Sequence, residues 1–326
     1  MDITYSYTNI SGYYECPFKY YLSNVLKLDP FEGNIYSKIG LIAHKMFELH
    51  NKPGFDFDKA FDEEVRQTEF TNEELPIVNN LKGKIKEANE AIRLHQRYMS
   101  KPRFLTEKRI KVEFAPHSYL LGVIDKAIIL DEKYMAIVDY KTGSDSFNAS
   151  KIQYGVSLQL PTYCYLASSS KELKEFNLMG VFINNVIDSK LTKYVDEENL
   201  INPTYRLNGK VLADKDVIAK LDSTLSGSKS LFIKSVALNK SGELKQSSSL
   251  ASEQEFIDYG NIALEKFLEA NERIRKNDFI INPLYQSKND NACVNCTFKD
   301  ICYLKASQRR YINENQGEES EDEDDE

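Results

Sequence analysis

Residues 120–143 read LLGVIDKAIILDEKYMAIVDYKTG and contain apolar runs, of which residues 122–124 and 137–138 are followed directly by Asp125 and Asp139. The runs predict two neighbouring β-strands, Leu120 to Leu130 and Tyr134 to Tyr140, joined by a short polar turn. Asp125 lies within the first strand, and Asp139 lies near the end of the second. An unpaired carboxylate among apolar strand residues is costly. The two aspartates are therefore predicted to share a counter-ion.

The flanking sequence predicts alternating helices and strands. Hydrophobic periodicity indicates helices over the first hundred residues, the first of them capped by Thr8 and running to Leu22. A third strand at Arg109 to Phe114 extends the pair into an antiparallel meander. A helix from Leu158 to Ala167 and a strand from Met179 to Val186 follow. This order predicts an α/β core.

The chain is predicted to form one domain followed by an acidic tail. Residues 188–252 contain serine- and glycine-rich turns, with one short helix near Val217 to Leu225. We expect a single domain over residues 1–310 and a disordered tail over 311–326. The expected parts of the domain are a helical part (1–100), a catalytic core (101–187), an insertion (188–252) and a C-terminal helix with a cysteine segment (253–310).

The acidic tail determines the net charge. Residues 318–326 include eight acids, so the net charge of −8 becomes −8 + 8 = 0 without them. The charge balance therefore does not exclude a nucleic-acid partner. The N-terminus lacks a secretory pattern, and no run approaches the roughly 18 apolar residues of a membrane span. The sequence predicts a cytoplasmic protein of cellular or phage origin with no membrane partner, whose tail either aids solubility or mimics DNA.

Asp125, Asp139 and Lys141 suit phosphodiester hydrolysis. That reaction needs a divalent cation, and hard cations such as Mg²⁺ prefer carboxylate oxygens. Lys141 follows Asp139 by two residues, so both side chains point to one face of an extended strand. A lysine there can orient the attacking water or stabilise charge that grows on phosphorus. An isolated Asp-x-Lys is also found at solvated strand ends, but the second aspartate favours a metal-dependent phosphodiesterase.

Three further residues are candidates for the same site. His44 lies on a predicted helix from Ile35 to His50, after Gly40, which would permit close approach. Its imidazole would favour Mn²⁺ alongside Mg²⁺. Gln159 and Tyr163 are four residues apart, on one helical face, and are predicted to contact the DNA backbone or to position Lys141. The alternatives are a core or surface histidine and a packing tyrosine.

Four of the five cysteines predict a metal site. Cys293, Cys296 and Cys302 form a C-x2-C-x5-C run, and Cys16 lies near the other end of the chain. Disulfides are disfavoured in a reducing compartment, which leaves metal ligation. Such a site would connect the two ends of the domain. Cys164 lies in an apolar run and is predicted to be a core residue.

These motifs together resemble the RecB-like branch of the PD-(D/E)XK nuclease superfamily. The resemblance is closest to the iron–sulfur nuclease domain of the AddB helicase–nuclease subunit and to CRISPR-associated RecB-like exonucleases. The matching motifs follow the family order over about residues 5 to 305. They are YYECPFKYYL (13–22), GLIAH (40–44), GVID (122–125), VDYKTG (138–143), QLPTY (159–163) and the cysteine run (293–302). A helicase-like region is not among them, so we expect a nuclease that acts alone or borrows a motor.

The resemblance implies a PD-(D/E)XK restriction-endonuclease-like core, in which helices flank a mixed central sheet, with an N-terminal helical region and a C-terminal iron–sulfur segment. It implies that Mg²⁺ or Mn²⁺ binds to His44, Asp125, Asp139 and the carbonyl of Tyr140, and that Lys141 is the catalytic lysine.

The resemblance also implies that Cys16, Cys293, Cys296 and Cys302 hold a structural [4Fe–4S] cluster. Tetrahedral zinc remains the alternative for four cysteines. Lys126 replaces an arginine that the family often has after the first aspartate, and we expect it to contact phosphate through a single point charge. The sequence does not assign Glu107 or Glu113 to the site.

The predicted function is a divalent-metal-dependent DNA exonuclease of the RecB/AddB type, acting on single strands or duplex ends in recombination, repair or phage DNA processing. A helicase or recombination protein is the expected partner. One alternative is a non-catalytic or motor-dependent DNA-binding subunit, although the presence of His44, Asp125, Asp139 and Lys141 argues against a non-catalytic one. Another is an RNA-directed nuclease, because the metal site does not inspect the sugar.

Overall fold

The computed structural model describes residues 2–28, 34–143, 147–186, 205–287 and 289–312. The helices are α1 (Tyr7–Glu15), α2 (Pro17–Tyr20), α3 (Ile35–Leu49), α4 (Phe57–Gln67), α5 (Leu75–Gln96), α6 (Gln159–Ser169), α7 (Lys215–Leu221), α8 (Glu253–Arg275) and α9 (Lys299–Cys302). The strands are β1 (Ile3–Tyr5), β2 (Pro102–Ala115), β3 (Ser118–Leu130), β4 (Tyr134–Lys141), β5 (Asn177–Asn185), β6 (Asn208–Leu212), β7 (Leu250–Ala251), β8 (Leu284–Tyr285) and β9 (Arg310–Tyr311).

A mixed sheet forms the centre of the molecule. Strands β2, β3 and β4 are the predicted antiparallel meander, and β5 lies parallel to β4. β6 then pairs antiparallel with β5, and β7 pairs parallel with β6. Helices cover both faces of this sheet, so the predicted α/β fold with a mixed central sheet is confirmed.

Strand β3 has a notch along one edge. β2 pairs with β3 from residue 118 to residue 130, so β1 and β4 share the opposite edge. β1 pairs with residues 118–120 and β4 with residues 126–130, and no described strand pairs with residues 121–125 on this edge. The β3–β4 register ends at Lys126 opposite Val138, so Asp125 and Asp139 come next, where the two strands separate. We call this gap between β1 and β4 the notch.

Two apolar cores lie on opposite faces of the sheet. Helices α1, α6 and α8 pack on one face through residues such as Tyr13, Leu166 and Phe267. Helices α3, α4 and α5 pack on the other face through residues such as Phe47 and Phe61. α6 lies so close to β3 that a Cβ atom added to Gly122 would be 2.3 Å from Cδ1 of Leu166. This close packing explains the glycine of the GVID motif and fixes α6 over the notch.

The N-terminal helix begins earlier and ends sooner than predicted. Ser6, not Thr8, is its N-cap, because the Ser6 hydroxyl accepts a bond from the Asn9 amide and the Asn9 side chain accepts one from the Ser6 amide. Cys16 ends α1 in an extended conformation, and Pro17 begins α2. Proline disfavours a helical conformation in the residue before it, so one predicted helix becomes two.

The segment predicted as an insertion contributes to the sheet. β6 and β7 both lie within residues 188–252 and extend the sheet beyond β5, while α7 is the short helix expected there. The start of this segment, 188–204, is outside the described residues. Tyr311, the first residue of the predicted tail, pairs in β9 with β8. The rest of that tail after Ile312 lies outside the described part. Among the described helices, none has the length and apolarity to cross a bilayer.

Candidate active site

Asp125 occupies the point where β3 and β4 separate. Its Oδ2 accepts a hydrogen bond of 2.7 Å from the backbone amide of Tyr140. Tyr140 lies two residues beyond Val138, the last residue of β4 that pairs with β3, so the carboxylate satisfies an amide that has no backbone partner on β3. The bond fixes the Asp125 side chain within the notch, where it is about one-tenth exposed.

His44 and Glu107 converge on Asp125. Nδ1 of His44 lies 3.4 Å from Oδ2 of Asp125 and 3.9 Å from Oε1 of Glu107. One ligand atom from each of the three residues lies within 4.8 Å of the others. Burial lowers the pKa of His44, but the hydrogen bond and charge of Asp125 outweigh burial, so the pKa is raised. Burial and the charge of Asp125 raise the pKa of Glu107. Two carboxylates beside one imidazole form a site that suits a divalent cation.

Glu107 joins the cluster because of an irregularity in β2. Thr106 and Lys108 pair with Lys126 and Ile124, whereas Glu107 between them has a φ of 48°. This left-handed conformation is rare for a residue other than glycine. The sequence does not assign Glu107 to the site, because alternation along β2 does not reveal a left-handed residue. The feature that indicates a role for Glu107 is its position opposite Asp125 in the β2–β3 hairpin.

Asp139 lies at the other side of the notch with three polar partners. Nζ of Lys141 is 2.8 Å from its Oδ2, and the Tyr163 hydroxyl donates a bond of 2.6 Å to its Oδ1. The Gln159 amide donates to Oδ1 and, at 3.1 Å, to the Tyr163 hydroxyl. Burial and the nearby charge of Asp125 raise the pKa of Asp139 to about 6, although Lys141 and Tyr163 lower it. Gln159 and Tyr163 thus contact the aspartate rather than Lys141.

Asp139 is near the His44 cluster but outside it. Its ligand atoms do not belong to the group of three within 4.8 Å, yet the charge of Asp125 affects its pKa. Tyr140, between Asp139 and Lys141, turns its ring to the opposite face of the sheet, where it packs 4.9 Å from the ring of Phe47. Its side chain is therefore absent from the notch, as expected if only its backbone contributes.

Lys126 does not face the notch, so the expected contact with phosphate is wrong. Its side chain is 1% exposed and lies on the face covered by α3 and α5. Nζ is 4.4 Å from the ring centre of Phe104 and 3.4 Å from Nε2 of His50. The reason is the alternation of residues 126–130, in which Lys126 shares the face of Ile128 and Leu130. The close approach expected at Gly40 is also absent, because an added Cβ would make an ordinary contact of 3.6 Å with Thr142.

The four predicted cysteine ligands come together. Cys16 is buried between α1 and α2, while Cys293, Cys296 and Cys302 are partly exposed, and all four are free thiols. Burial raises the pKa of Cys302, and the charges of the other three cysteines raise it further. The charges of Cys16, Cys293 and Cys296 thus act on the Cys302 thiol. Cys164 is a buried core residue, as predicted.

Aromatic and polar contacts join the cysteine segment to the N-terminal helices. The ring of Tyr21 stacks on Phe279 at 4.8 Å, and the Tyr13 hydroxyl donates to the carbonyl of Asp278 at 2.7 Å. The Arg310 guanidinium donates to the carbonyl of Tyr14. The N-terminal helices and residues 278–310 are therefore in direct contact.

Comparison with known proteins agrees with this geometry. The family model of the PD-(D/E)XK nuclease superfamily matches residues 4–303. An ATP-dependent helicase/deoxyribonuclease subunit from Lachnoclostridium phytofermentans is 27% identical over 335 residues, covering 91% of this chain and 29% of that protein. The corresponding protein from Clostridium novyi is 34% identical over 194 residues, covering 56% and 17%. A third, from a Thermoanaerobacter species, is 24% identical over 354 residues, covering 94% and 30%.

The chain spans less than a third of the length of these curated relatives. The family match, by contrast, extends over nearly the whole chain and includes both the notch and the cysteine segment. The chain belongs to the PD-(D/E)XK nuclease superfamily.

Proposed function

We propose that this chain is a divalent-metal-dependent DNA exonuclease that acts on single strands or duplex ends. The observation that supports this most strongly is the notch, where Asp125 and Asp139 meet with Lys141 2.8 Å from Asp139. The curated relatives are named as helicase/deoxyribonuclease subunits, which supports DNA as the substrate and a helicase as a partner. Recombination, repair and phage DNA processing are the processes that such an activity would serve.

His44, Glu107, Asp125 and Asp139 would hold Mg²⁺ or Mn²⁺. Three carboxylates and one imidazole offer oxygen and nitrogen ligands of the kind that these ions prefer. The backbone carbonyl of Tyr140 is a further expected ligand. When bound, the cation would supply a nucleophilic water at neutral pH and neutralise charge on the phosphate.

Lys141, Gln159 and Tyr163 have distinct roles in this proposal. Burial disfavours the charge of Lys141, but Asp139 outweighs burial and raises the pKa of the lysine. Lys141 is therefore a cation that donates hydrogen bonds to the phosphate, not a base. Gln159 and Tyr163 bond to Oδ1 of Asp139 and so hold this carboxylate with Oδ2 toward Lys141.

The four cysteines would hold a [4Fe–4S] cluster, in which each thiolate binds a different iron. The cysteine spacing and the family resemblance support this cluster, and tetrahedral zinc is the alternative. The cluster would stabilise the contact between α1–α2 and residues 293–302, making residues 1–310 one unit.

The proposed activity is tested with anaerobically purified protein on linear and covalently closed circular DNA, with Mg²⁺, Mn²⁺ or EDTA. We expect loss of linear DNA only, and only with metal. Cleavage of closed circles would replace the exonuclease assignment by an endonuclease. Equal cleavage of RNA would remove the preference for DNA.

A motor-dependent subunit is the second candidate function, because the curated relatives are more than three times as long as this chain. Under that proposal the isolated chain binds DNA ends without cleaving them, and cleavage appears when a helicase partner is added. The same assay distinguishes the two proposals.

The cluster has its own test. Cys302→Ser is expected to lose the iron and the broad visible absorption of the protein and to melt at a lower temperature. Cys164→Ala is the matched control, since this cysteine lies in the core, and it should keep the iron. Stoichiometric zinc in place of iron and sulfide in the wild-type protein would contradict the cluster.

A further inference from the structure

Tyr7 lies beside the notch but belongs to none of the motifs that define the family resemblance. It is the first residue of α1, two residues after the end of β1. Because β1 pairs with residues 118–120 of β3, the chain leaves the sheet at Tyr5, on the edge of β3 that also faces β4. Tyr7 therefore lies on the side of the notch opposite β4.

Two sets of local hydrogen bonds fix the backbone at Tyr7. β1 anchors the preceding residues in the sheet, and the Tyr5 hydroxyl donates a bond of 3.0 Å to Oδ1 of Asn271. On the other side, the Ser6 amide donates to Oδ1 of Asn9 at 3.2 Å and the Asn9 amide donates to Oγ of Ser6 at 3.1 Å. A capping box of this kind holds the first turn of a helix in place.

The Tyr7 side chain is partly buried and reaches Lys141. Both side chains line a cavity of about 260 Å³ together with Gln159, and the Lys141 ammonium is near enough to the Tyr7 hydroxyl to oppose the effect of burial on the pKa of Tyr7. The cavity is also lined by Thr8, Ser11 and Phe147. Burial is the largest influence on Tyr7 and raises its pKa, so its hydroxyl is neutral at physiological pH and can accept a bond from an ammonium group.

The ammonium of Lys141 has three N–H donors. One donor is directed to Oδ2 of Asp139 at 2.8 Å, and the Tyr7 hydroxyl, which lines the same cavity as Lys141, can accept a second. A lysine side chain is a flexible four-carbon stem, so one contact leaves its charge free to rotate. Two contacts from different elements fix it, and the third donor then points to whatever occupies the cavity.

We propose that Tyr7 is a positioning residue, which holds the ammonium of Lys141 in the orientation that the reaction requires. This inference rests on the nuclease function proposed above. This positioning role would belong to α1, a helix for which the sequence predicts a part only in the cysteine site.

The kinetic test compares Tyr7→Phe with Tyr5→Phe. Tyr7→Phe keeps the ring and removes only the oxygen, so we expect kcat on linear DNA to fall about tenfold at saturating Mn²⁺ with an unchanged KM. Tyr5→Phe removes the hydroxyl that bonds to Asn271, two residues earlier, and should lower the melting temperature without changing kcat. A fall in melting temperature with unchanged kcat for Tyr7→Phe as well would overturn the proposal.

A measurement without DNA or metal separates this inference from the proposed function. The ¹⁵N-ammonium signal of Lys141, identified by its loss in Lys141→Ala, should exchange slowly with water in the wild-type protein. Tyr7→Phe should accelerate this exchange at least tenfold, whether or not the protein cleaves DNA. An exchange rate equal to that of the wild type would refute the role of Tyr7 and leave the nuclease proposal intact.

Discussion

Two lysines lie beside the two aspartates of the notch, and the sheet gives them opposite environments. Lys141 is partly exposed, pairs with Asp139, and has a raised pKa because the carboxylate outweighs burial. Lys126 is 1% exposed, lies against Phe104 and His50, and burial lowers its pKa to about 7. The residue type is the same, but the effect of the protein on the charge has the opposite sign.

Strand alternation explains the difference. Lys141 follows Asp139 by two residues and shares its face, whereas Lys126 shares the face of Ile128 and Leu130, which belong to the core under α3 and α5. The face of the sheet to which each lysine points, rather than its distance in sequence from an aspartate, therefore decides which lysine can take part in chemistry. Lys126 instead forms part of the core under α3 and α5.

The largest expected effect separates the two lysines by activity. Lys141→Ala should lower kcat at least about a thousandfold, because a preorganised donor to the phosphate is lost. Lys126→Met should change kcat less than about threefold, since its side chain does not reach the notch. Single-turnover cleavage of end-labelled DNA measures both. Equal losses of kcat in the two variants would contradict the assignment of Lys141 to catalysis and of Lys126 to the core.

A smaller effect is expected on the pH dependence of stability, which should differ between the two lysines. The pKa of Lys126 is lowered from 10.5 to about 7 in the folded state, so the unfolded state binds more protons between these values and stability rises with pH there. Below pH 7 Lys126 is charged in the folded state, so the full cost of burying its charge lowers the stability of the fold. Lys126→Met should therefore be more stable than the wild type by about 2 kcal/mol at pH 6, with a smaller advantage at pH 10.

Urea unfolding at the two pH values measures this difference. A methionine variant that is less stable than the wild type at both pH values would show that Lys126 has a favourable partner, and the contrast with Lys141 would fail.

The smallest effect concerns Glu107. Glu107→Gln keeps the shape of the side chain but removes a charge beside His44 and Asp125, so the Mg²⁺ concentration for half-maximal cleavage should rise about tenfold. Glu113→Gln is the matched control, because Glu113 belongs to the same strand but not to the cluster around Asp125. If both variants need the same Mg²⁺ as the wild type, Glu107 does not bind the cation.

Much of the fold was predictable because its signals are local. The apolar runs in 120–143 predicted the β3–β4 pair, and the spacing of Asp139 and Lys141 predicted their shared face, with which the 2.8 Å ion pair agrees. Gln159 and Tyr163 lie on one turn of α6, as their spacing predicted, and both contact Asp139.

The remaining features depend on long-range geometry. Glu107 reaches the notch through a left-handed residue in β2, and Tyr7 reaches it because β1 pairs with β3 across more than a hundred residues. The family pattern does not indicate that Lys126 is buried in the core that Ile128 and Leu130 share. The roles of the site residues and the cluster remain predictions.

The most direct test is the binding of Mn²⁺ to Asp125→Asn, measured by calorimetry without DNA. Asparagine keeps an oxygen that can accept the bond from the Tyr140 amide, so the notch should retain its shape while losing a charged ligand. We predict that the wild type and Lys126→Met bind Mn²⁺ alike, whereas Asp125→Asn binds it at least about a hundredfold more weakly. Unchanged binding by a folded Asp125→Asn protein would contradict the account.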